Sequence, residues 1–128
     1  MLRFRLKTDG ATNELKADVA KGVIPLDTWT HAVATWDGKT MRLYKDGVEV
    51  GSVAKAGKLD TDAKVGATIG NQPDGAENRP FEGIIDEVGI WNRALTEAEI
   101  KTAMDGDFLA VELDGKLTTT WARMKTSR

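Results

Sequence analysis

Trp29-Thr30-His31-Ala32-Val33-Ala34-Thr35-Trp36-Asp37-Gly38-Lys39-Thr40-Met41-Arg42-Leu43-Tyr44-Lys45-Asp46-Gly47-Val48-Glu49-Val50 is the stretch that decides the fold. Apolar and polar residues largely alternate along it, and Asp37-Gly38 and Asp46-Gly47 interrupt the alternation. An Asp-Gly pair between alternating runs is the strongest short-range hairpin signal, because a tight turn needs positive φ where glycine sits. Two such pairs in close succession predict a three-stranded antiparallel meander over about 30–53.

The pattern continues on both sides. Leu2, Phe4 and Leu6 alternate with Arg3, Arg5 and Lys7, which predicts a half-buried strand that starts at once. Asp9-Gly10 follows as a turn, and Leu15, Ala17 and Val19 share one face of a second strand over 13–19. A loop around Pro25 leads into the meander, and the small polar residues 54–63 read as a crossing loop. Residues 64–70 read as a short strand, and Phe81–Trp91 is the most apolar strand of the chain. Thr96-Glu97-Ala98-Glu99 is a capping box that opens a helix near 96–104, with Gly106 as its stop. Residues 108–113 and 116–123 flank Asp114-Gly115 and read as two further strands. Eight or nine strands and one helix predict an all-β, antiparallel two-sheet sandwich of jelly-roll type.

Composition bounds the function. The 128 residues suffice for one domain with a real core. Net charge is −2 with the signs interspersed, so no nucleic-acid footprint is indicated. No apolar run reaches membrane-spanning length, and no signal-peptide pattern is present. Cysteine is absent, which removes disulfides, cysteine nucleophiles and thiolate zinc sites from consideration.

The blocks Trp29–Gly38, Leu43–Gly47, Ile69-Gly70, Phe81–Val88 and Trp91–Ile100 follow one another in an order that resembles laminin G-like, concanavalin A-like domains. The bacterial branch appended to extracellular and cell-surface proteins is the most similar. The match is best over 29–100 of a single domain, with 107–128 as a C-terminal extension. The resemblance implies a jelly roll that binds carbohydrate or a cell-surface protein without catalysis, often with Ca2+, in an extracellular parent. It also implies several strands before the Trp-x-His block, where this chain offers two. Those early strands would pair beside Ile84–Val88. Residues 116–123 could fold back to fill the gap; a homo-oligomer whose copies complete each other's sheets is the favoured expectation.

Candidate sites follow from residue chemistry. The loop 71–80 is the most polar of the chain. Its Asn71, Gln72, Asp74, Asn78 and Arg79 supply amide, carboxylate and guanidinium groups suited to hydroxyl-rich ligands, although a merely solvated loop would have the same composition. Asp86 matches the position of an aspartate that helps hold a structural calcium in relatives. Asp86 and Glu87 are adjacent, so on a strand they would point to opposite faces and could not flank a glycosidic bond together. No catalytic residue is therefore expected. His31 is the sole histidine and is expected to be structural, and Trp29, Trp36 and Trp91 are expected to pack in the core or at strand ends. Trp121 lies outside the matched blocks and is freer to serve an interface.

Overall fold

The computed structural model describes residues 1–64, 66–71 and 80–106. Within them, five strands and one helix follow in the order β1 Arg3–Thr8, β2 Ala11–Lys16, β3 Ala32–Trp36, β4 Thr40–Lys45, β5 Val48–Ala54 and α1 Glu97–Met104. They form two antiparallel sheets, the hairpin β1-β2 and the meander β3-β4-β5.

The turn chemistry sets the registers. Asp9 and Gly10 both have positive φ (47° and 78°), as do Asp46 and Gly47 (49° and 75°), the pattern of a two-residue turn whose twist matches the flanking strands. Thr8 thus pairs with Ala11, and Lys45 with Val48. The β3–β4 turn works differently. Only Gly38 is left-handed there, and the Asp37 carboxylate accepts from the amides of Lys39 (2.9 Å) and Thr40 (2.7 Å). The Arg42 guanidinium donates to the other oxygen of Asp37 at 2.8 Å. Together these bonds hold the Asp37 carboxyl down to about 2, from an ordinary 3.8.

Strand β4 carries the core on both faces. Met41 and Leu43 point one way, packing with Leu15, Ala17 and Val50 and with half-buried Leu2, Phe4, Leu6 and Trp36. Tyr44 points the other way, against Leu95, Ile100 and half-buried Val33. The β1-β2 hairpin therefore covers one face of the meander and the helix covers the other. Glu49 pairs with Tyr44 and Gly51 with Leu43, so Val50 is the extra residue of a β-bulge. Its carbonyl accepts from the Asp18 amide at 2.7 Å, tying the end of β2 to β5.

The crossing loop after β5 is stapled back to the first hairpin. Thr8 Oγ1 donates to the Ala56 carbonyl (2.9 Å), the Asp9 carboxylate accepts from the Lys58 amide (3.2 Å), and the Asp60 carboxylate accepts from the Gly10 amide (3.0 Å). Gly57 sits between, at φ 122°, where an added Cβ would collide with Asp9 Oδ2.

Three sequence expectations need correction. The second strand ends at Lys16 instead of 19, and Val19 is exposed. No strand forms over 66–70. None forms over Phe81–Trp91 either, and all eleven residues are exposed. The reason is common to the last two: a strand exists only through a neighbouring backbone, and among the described residues no strand lies beside these segments. The expected strands at 108–113 and 116–123 lie outside the described residues.

Met41 is fully buried at the centre of the larger core. Met41→Ala should lower unfolding free energy by about 2–5 kcal/mol through lost transfer energy and the cavity left behind. Urea unfolding followed by tryptophan fluorescence checks this, and a loss under about 1 kcal/mol would contradict the two-faced packing of β4.

Candidate functional site

The loop expected to carry recognition springs from a closed base. Gly70, left-handed at φ 81°, presents its carbonyl to the Phe81 amide at 2.7 Å, so the ends of 71–80 are hydrogen-bonded to each other. At the near end Thr68 Oγ1 donates to the Asn71 carbonyl, folding the chain into a turn. Asn71 is exposed there. Gln72, Asp74, Asn78 and Arg79 lie outside the described residues, so only Asn71 of the five is placed.

Asp86 is exposed, and its Oδ1 accepts from the Glu87 amide at 2.8 Å. Glu87 is itself left-handed, at φ 51°. Calcium takes six to eight oxygens. Among the described residues no three His, Cys, Asp or Glu side chains come together.

His31 opens β3's approach and serves the turn between β4 and β5. Its amide donates to Asp46 Oδ1 at 2.9 Å and its carbonyl accepts from the Asp46 amide at 2.9 Å. Both bonds are made by its backbone, and its imidazole lines the cleft described below. Trp36 packs on the core and donates Nε1–H to the Lys55 carbonyl at 2.7 Å. Trp29 departs from expectation: it is 68% exposed. Trp91 is also exposed, though less so. Both would need a covered β3 edge to be buried, and that edge has no neighbour in the meander.

Sequence reasoning foresaw an uncovered Ile84–Val88 but not the open β3 edge beside it. β3 is an edge strand, and beside it opens a cleft of ≈ 1230 Å³ whose lining includes Trp29, His31, Val33, Ile84, Ile85 and Trp91. Two side-chain atoms at its border, Thr30 Oγ1 and His31 Nδ1, are buried with no hydrogen-bond partner among the described residues. Ile84 and Ile90 stand 75% and 93% exposed beside it. The signal was present in the apolar run Phe81–Trp91, which cannot stay in water alone.

The helix at the cleft's end is anchored by an ion pair. Arg93 donates through both terminal nitrogens to the Glu99 carboxylate (2.6 and 2.9 Å), while Glu99 also accepts from the Thr96 amide (2.8 Å) and the Glu99 amide donates to Thr96 Oγ1. The capping box read in Thr96–Glu99 is thus formed, with Arg93 added to it.

Comparison with known proteins adds a family. A family model described as the concanavalin A-like lectin/glucanases superfamily, in its laminin G form, matches residues 1–101, which takes in β1 and β2 as well as the later blocks. Pappalysin-1 of Mus musculus is 33% identical over 107 residues, covering 80% of this chain and 6% of that protein. Pentraxin-related protein PTX3 of Bos taurus is 34% identical over 110 residues, covering 77% of this chain and 28% of that one. The chain therefore spans a small part of these relatives. A crystal structure of an S-layer domain-containing protein from Clostridium thermocellum superposes with a TM-score of 0.55 at 26% identity, over 79% of this chain and 50% of that chain.

The Arg93 guanidinium, followed by the Thr96 amide and hydroxyl, holds the Glu99 carboxyl down to about 2, from an ordinary 4.5. A carboxyl depressed in the folded state adds stability above its unfolded value and loses it as pH falls toward the folded one. Glu99→Gln should therefore unfold at lower urea than the parent chain at pH 7, with the gap closing between about pH 4.5 and 2. Unfolding curves at pH 7 and pH 2 test this; a gap of equal size at both would refute the role given to the charge.

Proposed function

Because the chain belongs to the concanavalin A-like lectin/glucanases superfamily, we propose that it is a non-catalytic binding module recognising carbohydrate or a surface partner, in an extracellular or cell-surface parent. The observation that carries this reading is the family match over residues 1–101. The likeness to an S-layer domain-containing protein supports the cell-surface setting. No helix among the described residues is long and apolar enough to cross a membrane. In this reading the two sheets belong to a full jelly-roll sandwich.

Recognition falls to the loop 71–80. Its hydrogen-bonded base supports a loop held on a scaffold, the arrangement in which polar side chains can be aimed at a ligand. Asn71, Gln72, Asp74, Asn78 and Arg79 offer both donors and acceptors, as vicinal hydroxyls require. Hydrolysis is disfavoured because two carboxylates must flank the scissile bond at a set separation, and the only adjacent acidic pair of the Phe81–Trp91 segment has Asp86 engaged with its neighbour's amide.

Screening the full chain against immobilised glycans and surface-protein extracts should yield a ligand, and Asn71→Ala or Asp74→Ala should weaken it about tenfold, the worth of one or two lost hydrogen bonds. Full retention by both variants would move recognition off the loop. In the same reading calcium, where it is bound, is held through Asp86. Excess calcium should then raise the thermal midpoint over a chelator, since a ligand of the folded state stabilises by mass action. An unchanged midpoint removes Asp86 from the ligand set.

The open edge of β3 supports a second reading, a structural self-assembly domain in which another copy of the chain adds the missing strand. Light scattering after size exclusion should then show a dimer or larger species. A folded monomer removes this reading.

A further inference from the structure

The face of the first hairpin that points away from the core takes no part in the packing described above. Arg3, Arg5 and Lys7 stand on it, because Phe4 and Leu6 take the core face of β1. Along the chain these cations are interspersed with acids, and the register of the hairpin gathers them. Arg3 pairs with Lys16, Arg5 with Glu14 and Lys7 with Thr12, so these six side chains share the outer face. Asp60 joins at the edge, with its amide on the Lys7 carbonyl and its carboxylate 3.7 Å from Lys7 Nζ.

Charge on this face is unbalanced. Arg3, Arg5, Lys7 and Lys16 meet only Glu14 and Asp60, in a chain whose net charge is −2. Glu14 is shared, since Arg5 donates to it at 2.6 Å and Lys16 Nζ lies 3.5 Å from its other oxygen. Arg3 enters no ion pair among the described residues, and Lys16 stands directly opposite it. Like charges opposite each other across strands destabilise the pairing, and Glu14 offsets this row only in part. An anion lying over Arg3 and Lys16 would offset it fully. The arginines elsewhere need none: Arg42 lies against Asp37 and Glu49, and Arg93 against Glu99.

Geometry selects the kind of anion. At ~3.3 Å per residue, Arg3, Arg5 and Lys7 follow about 7 Å apart in a row about 13 Å long. A single small anion covers one step of that row, whereas a chain of repeated anionic units covers all of it. The side chains of Arg5, Lys7 and Lys16 are more than half exposed and open to such a chain. Glu14 and Thr12 stand among the cations as hydrogen-bond acceptors. The hydroxyls of a polysaccharide can donate to them, and the phosphodiester backbone of DNA has nothing to donate. None of the six side chains is aromatic, so a base has no ring to stack on here.

We propose that the outer face of the β1-β2 hairpin binds an acidic polysaccharide. Arg3 and Lys16 hold its carboxylate or sulfate groups, and Glu14 and Thr12 accept from its hydroxyls. This inference rests on the carbohydrate reading of the family match and adds a surface built from other residues than the loop 71–80.

Calorimetric titration of the full chain with polygalacturonate, dextran sulfate and uncharged dextran tests the proposal. At least one acidic polymer should bind at least about tenfold more tightly than dextran, and raising salt from about 50 to 200 mM should weaken it about tenfold. Arg3→Ser/Lys16→Ser should lose about tenfold or more in affinity while unfolding at the same or higher urea, because the like-charge row is gone. Arg3→Lys/Lys16→Arg should retain binding. Refusal of both acidic polymers would overturn the proposal, as would equal binding by the Ser variant or equally tight binding of single-stranded DNA. A neutral glycan bound through the loop 71–80, with both acidic polymers refused, would overturn this inference alone and leave the carbohydrate reading standing.

Discussion

Strand β4 is packed on both faces, and the position of every other element follows from it. Met41 and Leu43 seat the β1-β2 hairpin on one side, and Tyr44 seats Leu95 and Ile100 on the other. A strand used in this way must sit between two others, because its polar backbone is buried on both faces and needs ladder partners on both edges. The turns Asp37-Gly38 and Asp46-Gly47 provide them at the least entropic cost, since each closes a loop of only a few residues. β3 and β5 thereby become edges. β5 is tied to the end of β2 through the carbonyl of its bulged Val50, and Lys55, just beyond it, donates its amide to the Lys39 carbonyl. Among the described residues β3 receives nothing comparable on its outer side.

That asymmetry concentrates the unsatisfied chemistry in one place. Thr30 Oγ1 and His31 Nδ1, buried and without a hydrogen-bond partner among the described residues, the exposed Trp29 and the exposed Ile84, Ile85, Val88 and Ile90 all border the outside of β3. Each would be ordinary elsewhere. Together they describe a surface shaped for a strand rather than for water. The helix borders it only through Ala103 and Met104 of its last turn, while the Arg93–Glu99 pair and the Thr96 cap fix its start and Ile100 packs on Tyr44.

What was legible in the sequence divides along the same line. The meander, the first hairpin and the helix start are encoded locally, in Asp-Gly pairs and in Thr96-x-x-Glu99, so reading a few residues at a time recovers them to within about three positions. The helix's N-terminus was readable even though its anchor, Arg93, was not: an ion pair six residues apart has no periodic signature. Phe81–Trp91 was misread because its apolar character reports only a preference for burial. Whether it becomes a strand depends on a neighbour that its own residues do not specify. Trp29 was misplaced for the same reason. Its block predicts a strand-end tryptophan, but burial there requires an element across from it. Of the recognition loop, the sequence gives composition while the structure adds the Gly70–Phe81 clamp at its base. Asp86 shows the limit most clearly, since the coordination number of calcium is a property of several segments at once.

An edge that is left open in the sheet but bordered by apolar chain has consequences for how the two functional surfaces relate. Gly70 accepts from Phe81, and an added Cβ on Gly70 would meet Ile85 Cδ1 at 3.7 Å, so the base of the recognition loop and the wall of the cleft are one continuous piece of backbone. Ordering Phe81–Trp91 into a strand would fix the far end of the loop, and leaving it unpaired would let that end fluctuate. A ligand held by the loop pays less ordering entropy when the segment below is already ordered. Under the proposed function, the Gly70–Phe81 hydrogen bond is the link through which order in Phe81–Trp91 would reach a ligand site in the loop 71–80.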